Sequence, residues 1–331
     1  MKDILNHLLE HKALDRDTAK TVLLDIAQGK ANQSQMACFM TVYMMRNITV
    51  EELEGFRDAM LELCVATDLS SYSPIDLCGT GGDGKDTFNV STVSSFVVAG
   101  AGIKVAKHGN YGVSSACGSS NLMEHFGYTF TNNKDILEKQ IDQAGICIMH
   151  APLFHPAMKN VAPIRRDLGV KTFFNMLGPM VNPAFPKHQM VGVFSLELAR
   201  LYGYLYQNTG KHFVVVHSLD GYDEVSLTGA FKMISNKSEA IYQPEELNLK
   251  RHKPEELHGG ETIEDAAKIF MDVLNNRCTE AQKEVVLANS GLAIYCASPG
   301  ISIHDAIALA NESLQSGKAK AVFDKLMTLN A

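Results

Sequence analysis

Residues 75–92, IDLCGTGGDGKDTFNVST, give the clearest indication of the architecture. The apolar run at 75–78 predicts a short buried strand, and Gly79-Thr80-Gly81-Gly82-Asp83-Gly84 follows it as a glycine-rich turn. Glycines let the backbone approach a ligand closely and adopt positive φ angles. A helix predicted from residue 90 would direct free N–H groups and the positive end of its dipole at this turn, which suits phosphate oxygens. The segment matches neither the P-loop nor the dinucleotide pattern, and alone it is equally typical of an ordinary tight turn.

Short apolar runs alternate with helical patterns after this segment. Predicted strands cover residues 75–78, 103–106, 146–150, 190–194, 213–217 and 233–235, and predicted helices cover 90–100, 119–126, 134–143, 156–168 and 196–208. This alternation predicts an α/β fold with a mainly parallel central sheet and flanking helices. Ligands bind beyond the carboxyl ends of the strands in such sheets, so the loops that leave the strands are the candidate site.

The first 65 residues contain helical patterns only, and Thr49-Val50-Glu51-Glu52 is typical of a capping box. Residues 70–74, SSYSP, form a predicted linker. We therefore predict a small all-helical domain over residues 1–69 and an α/β domain over residues 74–331, the last part of which is again helical. A helical lobe of this size buries little apolar surface alone, which predicts packing against another surface, such as a second copy of itself.

Composition and charge exclude several classes of protein. The 331 residues are 46% apolar and 20% charged, which is ordinary for a globular protein. Thirty basic against 37 acidic residues give a net charge of −7, which argues against a nucleic-acid or membrane partner. No signal segment is evident, and no apolar run approaches the ~18 residues of a membrane span. The seven scattered cysteines never form C-x-x-C, which favours reduced thiols in a cytoplasmic protein.

A second polar loop follows the next predicted strand. The strand predicted at 103–106 is followed directly by Lys107-His108-Gly109-Asn110. Further along the chain come Ser114-Ser115 and Gly118-Ser119-Ser120. The carboxyl ends of parallel strands meet at one sheet edge, so this cation, amide and set of hydroxyls should lie beside the glycine-rich turn. The two loops together favour a phosphate site over an ordinary turn.

Two further clusters carry charge. Asp223-Glu224 follows the strand at 213–217, and Mg²⁺ typically takes one or two carboxylates together with waters and phosphate oxygens. An acidic pair alone is more often a solvated turn. Arg165 and Arg166 fall near the end of the helix at 156–168. An arginine fork can hold a carboxylate, whereas compensation of the helix dipole is the alternative role for at least one of the two.

Taken together, these motifs resemble those of the anthranilate phosphoribosyltransferase family, a branch of the nucleoside phosphorylase-like transferases. The resemblance covers nearly the whole chain and extends to His155-Pro156-Ala157-Met158-Lys159, Phe174-Asn175 and Asn182-Pro183. It implies that family's fold, a homodimer formed through the helical domain, an insert near 168–186 in that domain, and an active site in the cleft between the domains. It also implies transfer of the phosphoribosyl group of phosphoribosyl pyrophosphate (PRPP) to the amine of anthranilate, in tryptophan biosynthesis.

The resemblance also implies a role for individual residues. Those expected to contact PRPP are Gly79, Gly82, Asp83, Thr87, Asn89, Val90, Ser91, Thr92, Lys107, His108, Gly109, Asn110, Tyr111, Gly112, Val113, Ser114, Ser115 and Ser119. Ser91, Asp223 and Glu224 are expected to ligate two Mg²⁺ ions per subunit. Anthranilate is expected to contact Gly79, Asn110 and Arg165, with Arg165 facing its carboxylate. Lys107 and Arg165 are the predicted catalytic residues. They act by positioning and by stabilising charge, because the neutral aromatic amine needs no strong base.

Some positions depart from the common pattern of the family. Tyr111 stands where the family commonly has Arg, Ala116-Cys117 replaces a frequent Lys-Ser, and Asn121 stands where Asp is usual. The absence of a positive charge at position 111 is expected to affect the choice of acceptor substrate more than the class of reaction. Two alternatives stay open: a nucleoside phosphorylase of the same fold that uses inorganic phosphate, and a non-catalytic nucleic-acid-binding relative, which the charge of −7 disfavours.

Overall fold

The computed structural model describes residues 1–112 and 117–330. Contacts between chain segments divide the protein into two compact units. One unit, called the helical unit below, contains Met1–Ala66 and Ala151–Pro183, and the other, called the α/β unit, contains Thr67–His150 and Ala184–Ala331. None of the helices in the described part of the chain has the length and apolar character of a membrane span.

The elements are numbered in chain order. The helices are α1 (Lys2–Leu9), α2 (Arg16–Ala27), α3 (Gln33–Met45), α4 (Val50–Leu63), α5 (Val90–Gly100), α6 (Ser119–His125), α7 (Lys134–Gln143), α8 (Ala151–Phe154), α9 (Ala162–Leu168), α10 (Phe174–Leu177), α11 (Leu196–Gln207), α12 (Ile263–Leu274), α13 (Glu280–Ala297), α14 (Ile303–Gln315) and α15 (Lys318–Asn330). The strands are β1 (Ile75–Gly79), β2 (Val105–Gly109), β3 (Ile146–His150), β4 (His188–Gly192), β5 (His212–Ser218), β6 (Phe231–Ser235) and β7 (Glu239–Tyr242).

The helical unit packs around a cluster of aromatic rings. Phe39 and Tyr43 of α3, Phe56 of α4 and Phe173 form this cluster, with ring centroids between 4.6 and 5.9 Å apart. Aromatic pairs at such distances add to the stabilisation that burial provides. The capping box predicted at the start of α4 is confirmed, because the side chains of Thr49 and Glu52 each accept a hydrogen bond from the other residue's backbone N–H.

The second segment of the helical unit begins earlier than the predicted insert near 168–186. The backbone N–H of Val65 donates to the carbonyl of Phe154 at 2.8 Å. The Asn160 amide donates to the carbonyl of Ala27, at the end of α2, at 2.7 Å. These bonds tie residues before 168 to the N-terminal helices, so the segment starts at Ala151.

The predicted helix over 156–168 is interrupted. A 3₁₀ turn at Pro156–Asn160 is followed by the separate helix α9. Pro163 explains the break, because its ring clashes with the carbonyl four residues earlier and it has no N–H to donate. Gly169 ends α9 with a left-handed φ of 64°.

The α/β unit contains one seven-stranded sheet in the order β3-β2-β1-β4-β5-β6-β7. The pairs β1–β2, β1–β4, β2–β3 and β4–β5 are parallel, and β5–β6 and β6–β7 are antiparallel. The mainly parallel sheet with flanking helices is therefore confirmed. Because β1 to β5 run the same way, the loops that leave them lie at one edge of the sheet.

Several strands differ from prediction. Strand β2 covers Val105–Gly109 rather than 103–106, β4 covers His188–Gly192 rather than 190–194, β6 begins at Phe231 rather than at 233, and β7 was not predicted. Strand β7 lies at the end of the sheet and has no fully buried residue, so it lacks the apolar signature on which strand prediction depends. Helix α5, in contrast, has the predicted bounds and is buried along most of its length, where it contacts β1, β2, α13 and α15.

Candidate active site

The glycine-rich loop after β1 brings the backbone close to a carboxylate. Gly81 and Gly82 have left-handed φ angles of 67° and 81°. The N–H of Gly81 donates to Asp223 Oδ2 at 2.6 Å. A Cβ atom on Gly79 would collide with Asp223 Oδ2, and one on Gly192 would collide with the Asp223 carbonyl oxygen. Asp223 therefore fits against the ends of β1 and β4 only because both strands end in glycine.

Three carboxylates meet beside this loop. The N–H of Asp223 donates to Asp83 Oδ2 at 3.4 Å, and Asp223, Glu224 and Ser91 line one small cavity. Burial and the charge of Asp83 raise the pKa of Asp223 to about 7. Burial and the charge of Asp223 raise the pKa of Glu224 well above its usual value. Glu224 Oε1 is buried and has no hydrogen-bond partner within the described residues.

This arrangement suits a divalent cation whose coordination shell is completed by oxygen atoms of a bound ligand. A bound cation reverses the local cost of burying carboxylates, because its charge favours their ionised form. Within residues 1–112 and 117–330, no group of three His, Cys, Asp or Glu side chains is placed to hold a metal by itself. Mg²⁺ commonly takes only one or two protein carboxylates and completes its shell with water and phosphate oxygens.

Lys107 lies beneath the loops rather than on their surface. Its ammonium donates to the carbonyl oxygen of Leu77 at 2.7 Å and to Ser91 Oγ at 3.3 Å. The residue is only 2% exposed, and this burial lowers the pKa of its ammonium. Lys107 therefore contacts a predicted metal ligand and the end of β1, as the proximity of the loops predicted, but its charge is directed into the unit.

The loop after β2 is held by its own side chains. The carbonyl of Asn110 accepts hydrogen bonds from the Ser119 hydroxyl at 3.3 Å and from the Ser120 N–H at 3.1 Å. Asn121 Oδ1 accepts from the N–H groups of Gly112 at 2.9 Å and Gly118 at 3.0 Å. The amide oxygen of Asn121 thus joins the two ends of this loop.

The two loops are also connected to each other. The Asn89 amide donates to the carbonyl of Cys117 at 2.9 Å. Val90 and Thr92, which were predicted to contact PRPP, are buried. The remaining predicted positions of the second loop, Val113, Ser114 and Ser115, lie outside the described residues.

His150, at the end of β3, is a candidate that the sequence reasoning missed. Its Nδ1 lies 2.8 Å from the Ser120 hydroxyl, its ring stacks on Phe130 at 4.1 Å, and the Tyr111 ring packs edge-on at 5.0 Å. Burial lowers the pKa of His150. The rule that ligands lie at the carboxyl ends of strands would have identified this residue, because β3 is parallel to β1 and β2.

Arg165 belongs to the helical unit. It donates to Asn175 Oδ1 at 3.3 Å and lies over the ring of Phe174, 5.3 Å from its centroid. Arg165 is half-buried, which lowers the pKa of its guanidinium, whereas Arg166 is exposed. Of the two arginines that the sequence left open, Arg165 is therefore the one that packs inward.

Comparison with known proteins agrees with this architecture. The model "Glycosyl transferase family, a/b domain" matches residues 71–320, and "Glycosyl transferase family, helical bundle domain" matches residues 2–64. The anthranilate phosphoribosyltransferase of Cytophaga hutchinsonii is 60% identical over 98% of this chain and 99% of its own. That of Christiangramia forsetii is 61% identical over 100% of this chain and 99% of its own.

Solved structures with the same overall fold lead to the same assignment. Anthranilate phosphoribosyltransferase from Thermus thermophilus matches with a TM-score of 0.92 and 32% identity, over 99% of each chain. The enzyme from Saccharomyces cerevisiae in complex with PRPP and Mg matches with a TM-score of 0.90 and 26% identity, over 98% of this chain and 96% of that one.

The two units and the strand-end site define a two-domain glycosyl transferase. The protein is an enzyme of this class. At about 60% identity over full length, the chain belongs to the anthranilate phosphoribosyltransferase family.

Proposed function

We propose that the strand-end loops of the α/β unit carry out the reaction of this family. That reaction transfers the phosphoribosyl group of PRPP to the amine of anthranilate in tryptophan biosynthesis and releases pyrophosphate. One observation carries the assignment of the site: Asp223 is held by the Gly81 N–H at 2.6 Å, at the same sheet edge where Lys107 reaches Ser91 at 3.3 Å. Phosphate-facing glycines, a cation and carboxylates thus meet in one place.

The donor is bound by this edge. Gly79, Gly82, Asp83 and Thr87, together with residues 89–92, 107–115 and 119, are our candidates for contact with PRPP. Oriented N–H groups of the glycine-rich loop and at the start of α5 favour the phosphate oxygens. Lys107 does not reach the surface of the loops, so its charge acts on the departing pyrophosphate from beneath, next to Ser91. Such electrostatic help is usually the largest catalytic contribution.

Ser91, Asp223 and Glu224 are the residues that would hold Mg²⁺, and we propose two ions per subunit. The raised carboxyl pKa values and the unpartnered Glu224 Oε1 support this fit, because both are features that a cation would compensate. The yeast relative is described with PRPP and Mg. When bound, Mg²⁺ supplies charge neutralisation to the phosphate oxygens.

We assign Arg165 as the contact of the anthranilate carboxylate. Asn110 and Gly79 are our further candidates for contact with anthranilate. The planar guanidinium of Arg165 can donate paired hydrogen bonds to a carboxylate. The hydrogen bond to Asn175 and the ring of Phe174 fix the orientation of this guanidinium. A yeast relative is described in complex with 4-fluoroanthranilate. The amine of anthranilate is neutral near pH 7, so positioning serves the reaction and no strong base is assigned.

We also propose that the enzyme is a cytoplasmic homodimer that contacts neither nucleic acid nor membrane. All seven cysteines are free, which suits a reducing compartment. The helical unit exposes large apolar side chains on α1 and α3, with Leu9 61% and Met45 84% exposed. We place the dimer contact on this part of the helical unit, because α1 and α3 pack together and each exposes a large apolar side chain.

Loss of anthranilate fluorescence in the presence of PRPP tests the function. We expect turnover that requires Mg²⁺ and that falls by about 100-fold or more in Asp223→Asn/Glu224→Gln and in Lys107→Ala, because each change removes a charge near the leaving group. Full activity in either variant would remove its residues from the site. Phosphate-dependent release of a free base from a nucleoside would favour a phosphorylase instead.

A further inference from the structure

The central ladder of the sheet is interrupted between β1 and β2. The neighbouring parallel pairs β1–β4 and β2–β3 each stay in register over five residues. For β1 and β2, in contrast, the register in the described chain is confined to Ile75 and Val105. The two strands therefore stop pairing regularly before the phosphate-facing loops begin.

Side chains bridge the strands where the ladder stops. In a continued parallel ladder, the His108 N–H would donate to the carbonyl of Leu77. Instead, the His108 N–H donates to Asp76 Oδ1 at 3.0 Å, and the Leu77 carbonyl accepts from Lys107 Nζ at 2.7 Å. One main-chain hydrogen bond of the ladder is thus replaced by two bonds to side chains, one accepted by Asp76 and one donated by Lys107.

This bridge is buried and is supported from the other side. Asp76 is 0% exposed and Lys107 2% exposed. Burial lowers the pKa of the Lys107 ammonium, and the negative charge of Asp76 opposes that shift. The side-chain amide of Gln189 on β4 lies 3.4 Å from Asp76 Oδ2. Asp76 therefore contacts groups from the strands on both sides of β1.

We propose that Asp76 is a positioning residue for phosphoribosyl transfer. Its carboxylate fixes the main chain at His108 and supplies the counter-charge of Lys107, and in this way it sets where the loop after β2 stands relative to the loop after β1. In a regular ladder the Leu77 carbonyl would accept from the His108 N–H, and Lys107 would have to share that acceptor. The inference rests on the proposed donor site, because it acts through Lys107 and the loop that follows.

Two substitutions separate the contributions of Asp76. Asp76→Asn keeps the size of the side chain and one acceptor oxygen but removes the charge, whereas Asp76→Ala removes both. We expect KM for PRPP to rise about fivefold in Asp76→Asn and about tenfold or more in Asp76→Ala, since both substitutions weaken a charge-assisted contact. KM for anthranilate should rise less than KM for PRPP, because Asn110 stands in the affected loop but the anthranilate carboxylate is assigned to Arg165, which lies outside it.

A control separates positioning from general loss of stability. Gln140→Leu removes a buried side chain that accepts from the Tyr128 hydroxyl at 2.8 Å, far along the chain from the ends of β1 and β2. It should lower the melting temperature and leave both KM values unchanged. Amide hydrogen exchange at His108 should be faster in Asp76→Ala than in the wild type, which is a direct readout of the lost bond.

An unchanged KM for PRPP in a folded Asp76→Ala protein, or an equal rise in both KM values, would overturn the inference. If Asp76→Ala does not fold, the same criterion applied to Asp76→Asn decides. These outcomes leave the proposed function standing as long as the wild type shows metal-dependent turnover. Absence of that turnover in the wild type would refute the proposed function itself.

Discussion

Arg165 depends on its neighbours for its orientation. Asn175 Oδ1 accepts from the guanidinium at 3.3 Å and also from the Thr172 N–H at 3.1 Å, so one amide fixes both the side chain and the turn before α10. Sequence alone could not choose between Arg165 and Arg166, because the choice depends on where α9 begins after the turn at Pro156–Asn160. The structure resolves it through packing on Phe174.

Asn175→Ala should weaken acceptor binding. We expect KM for anthranilate to rise about tenfold, the equivalent of ~1.4 kcal/mol, while KM for PRPP changes little, because the lost bond orients a charged group. Steady-state kinetics with each substrate varied in turn measures this. Asn32→Ala is the control, since it removes the cap of α3, whose hydrogen bonds are made with Gln35. The reverse pattern of KM changes would place Arg165 outside the acceptor site.

Glu52 is a buried charge on which the helical unit depends. It is 0% exposed and accepts hydrogen bonds from the backbone of Leu14, the hydroxyl of Tyr43 and the guanidinium of Arg46. Burial alone would raise its pKa, but the hydrogen bonds from Arg46, Leu14 and Thr49 outweigh burial and hold the pKa below its usual 4.5. Its stabilising effect is therefore complete above that pH and is lost as the pH falls through the folded-state pKa.

Glu52→Gln should lower the free energy of unfolding by about 3 kcal/mol at pH 7, because it leaves Arg46 without its buried partner. The difference from the wild type should shrink as the pH falls below 4.5, the ordinary pKa of the group. Urea titrations at several pH values measure both effects. Glu62→Gln on the same helix is the control, since Glu62 pairs with Lys20 at the surface and its loss should matter little. A pH-independent difference would contradict the assigned role of the charge.

Among the structural elements, the segment before α12 holds the loop between β1 and α5 in place. The Gly259 N–H donates to the Asp86 carbonyl at 2.9 Å, and the Phe88 N–H donates to the Leu257 carbonyl at 3.1 Å. A Cβ atom on Gly259 would lie 2.8 Å from the Thr87 carbonyl oxygen. The absence of a side chain at 259 thus permits an antiparallel bridge that holds Thr87, one of the proposed donor contacts.

Gly259→Ala should push this loop away and raise KM for PRPP by about fivefold, with a smaller effect on KM for anthranilate, because tight backbone contacts leave an added methyl no room. Gly229→Ala is the matched control. Its nearest neighbour would be Asp220 Oδ2 at an unstrained 3.9 Å, and Gly229 has no left-handed φ. Identical kinetics in the two variants would show that the bridge does not position the loop.

The elements also show where sequence reasoning succeeds. The bounds of α5 and α7 follow directly from their apolar patterns and flanking residues. The bridge at 257–259, the short edge strand β7 and the cross-strand role of Asp76 could not be predicted, because each depends on contacts between residues far apart in the chain. Asp76, in particular, stands in an apolar run where a carboxylate has no local explanation. The glycines at 79 and 81 were recognised, but their partner, Asp223, lies more than 140 positions away.

For the molecule as a whole, the proposed homodimer is the property most open to test. Light scattering should give a mass of twice 36.2 kDa for the wild type. Leu9→Glu/Met45→Glu should shift the protein to a monomer, because it places charge on the exposed apolar surface of the helical unit. Leu309→Glu, at a residue of the α/β unit that is 40% exposed, is the control and should leave the mass unchanged. A dimer that persists in the double variant would place the interface elsewhere.

Neither unit is continuous in sequence, and this has a consequence for synthesis on the ribosome. Phe173 completes the ring cluster of Phe39, Tyr43 and Phe56, and β4 lies next to β1 in the sheet. Domains usually fold as the nascent chain emerges, N-terminal part first. Here the N-terminal segment Met1–Ala66 must wait for about a hundred more residues before its core can close, and the sheet must wait longer still. The newborn chain therefore spends an extended period with apolar surface uncovered, which is the condition under which chaperones bind.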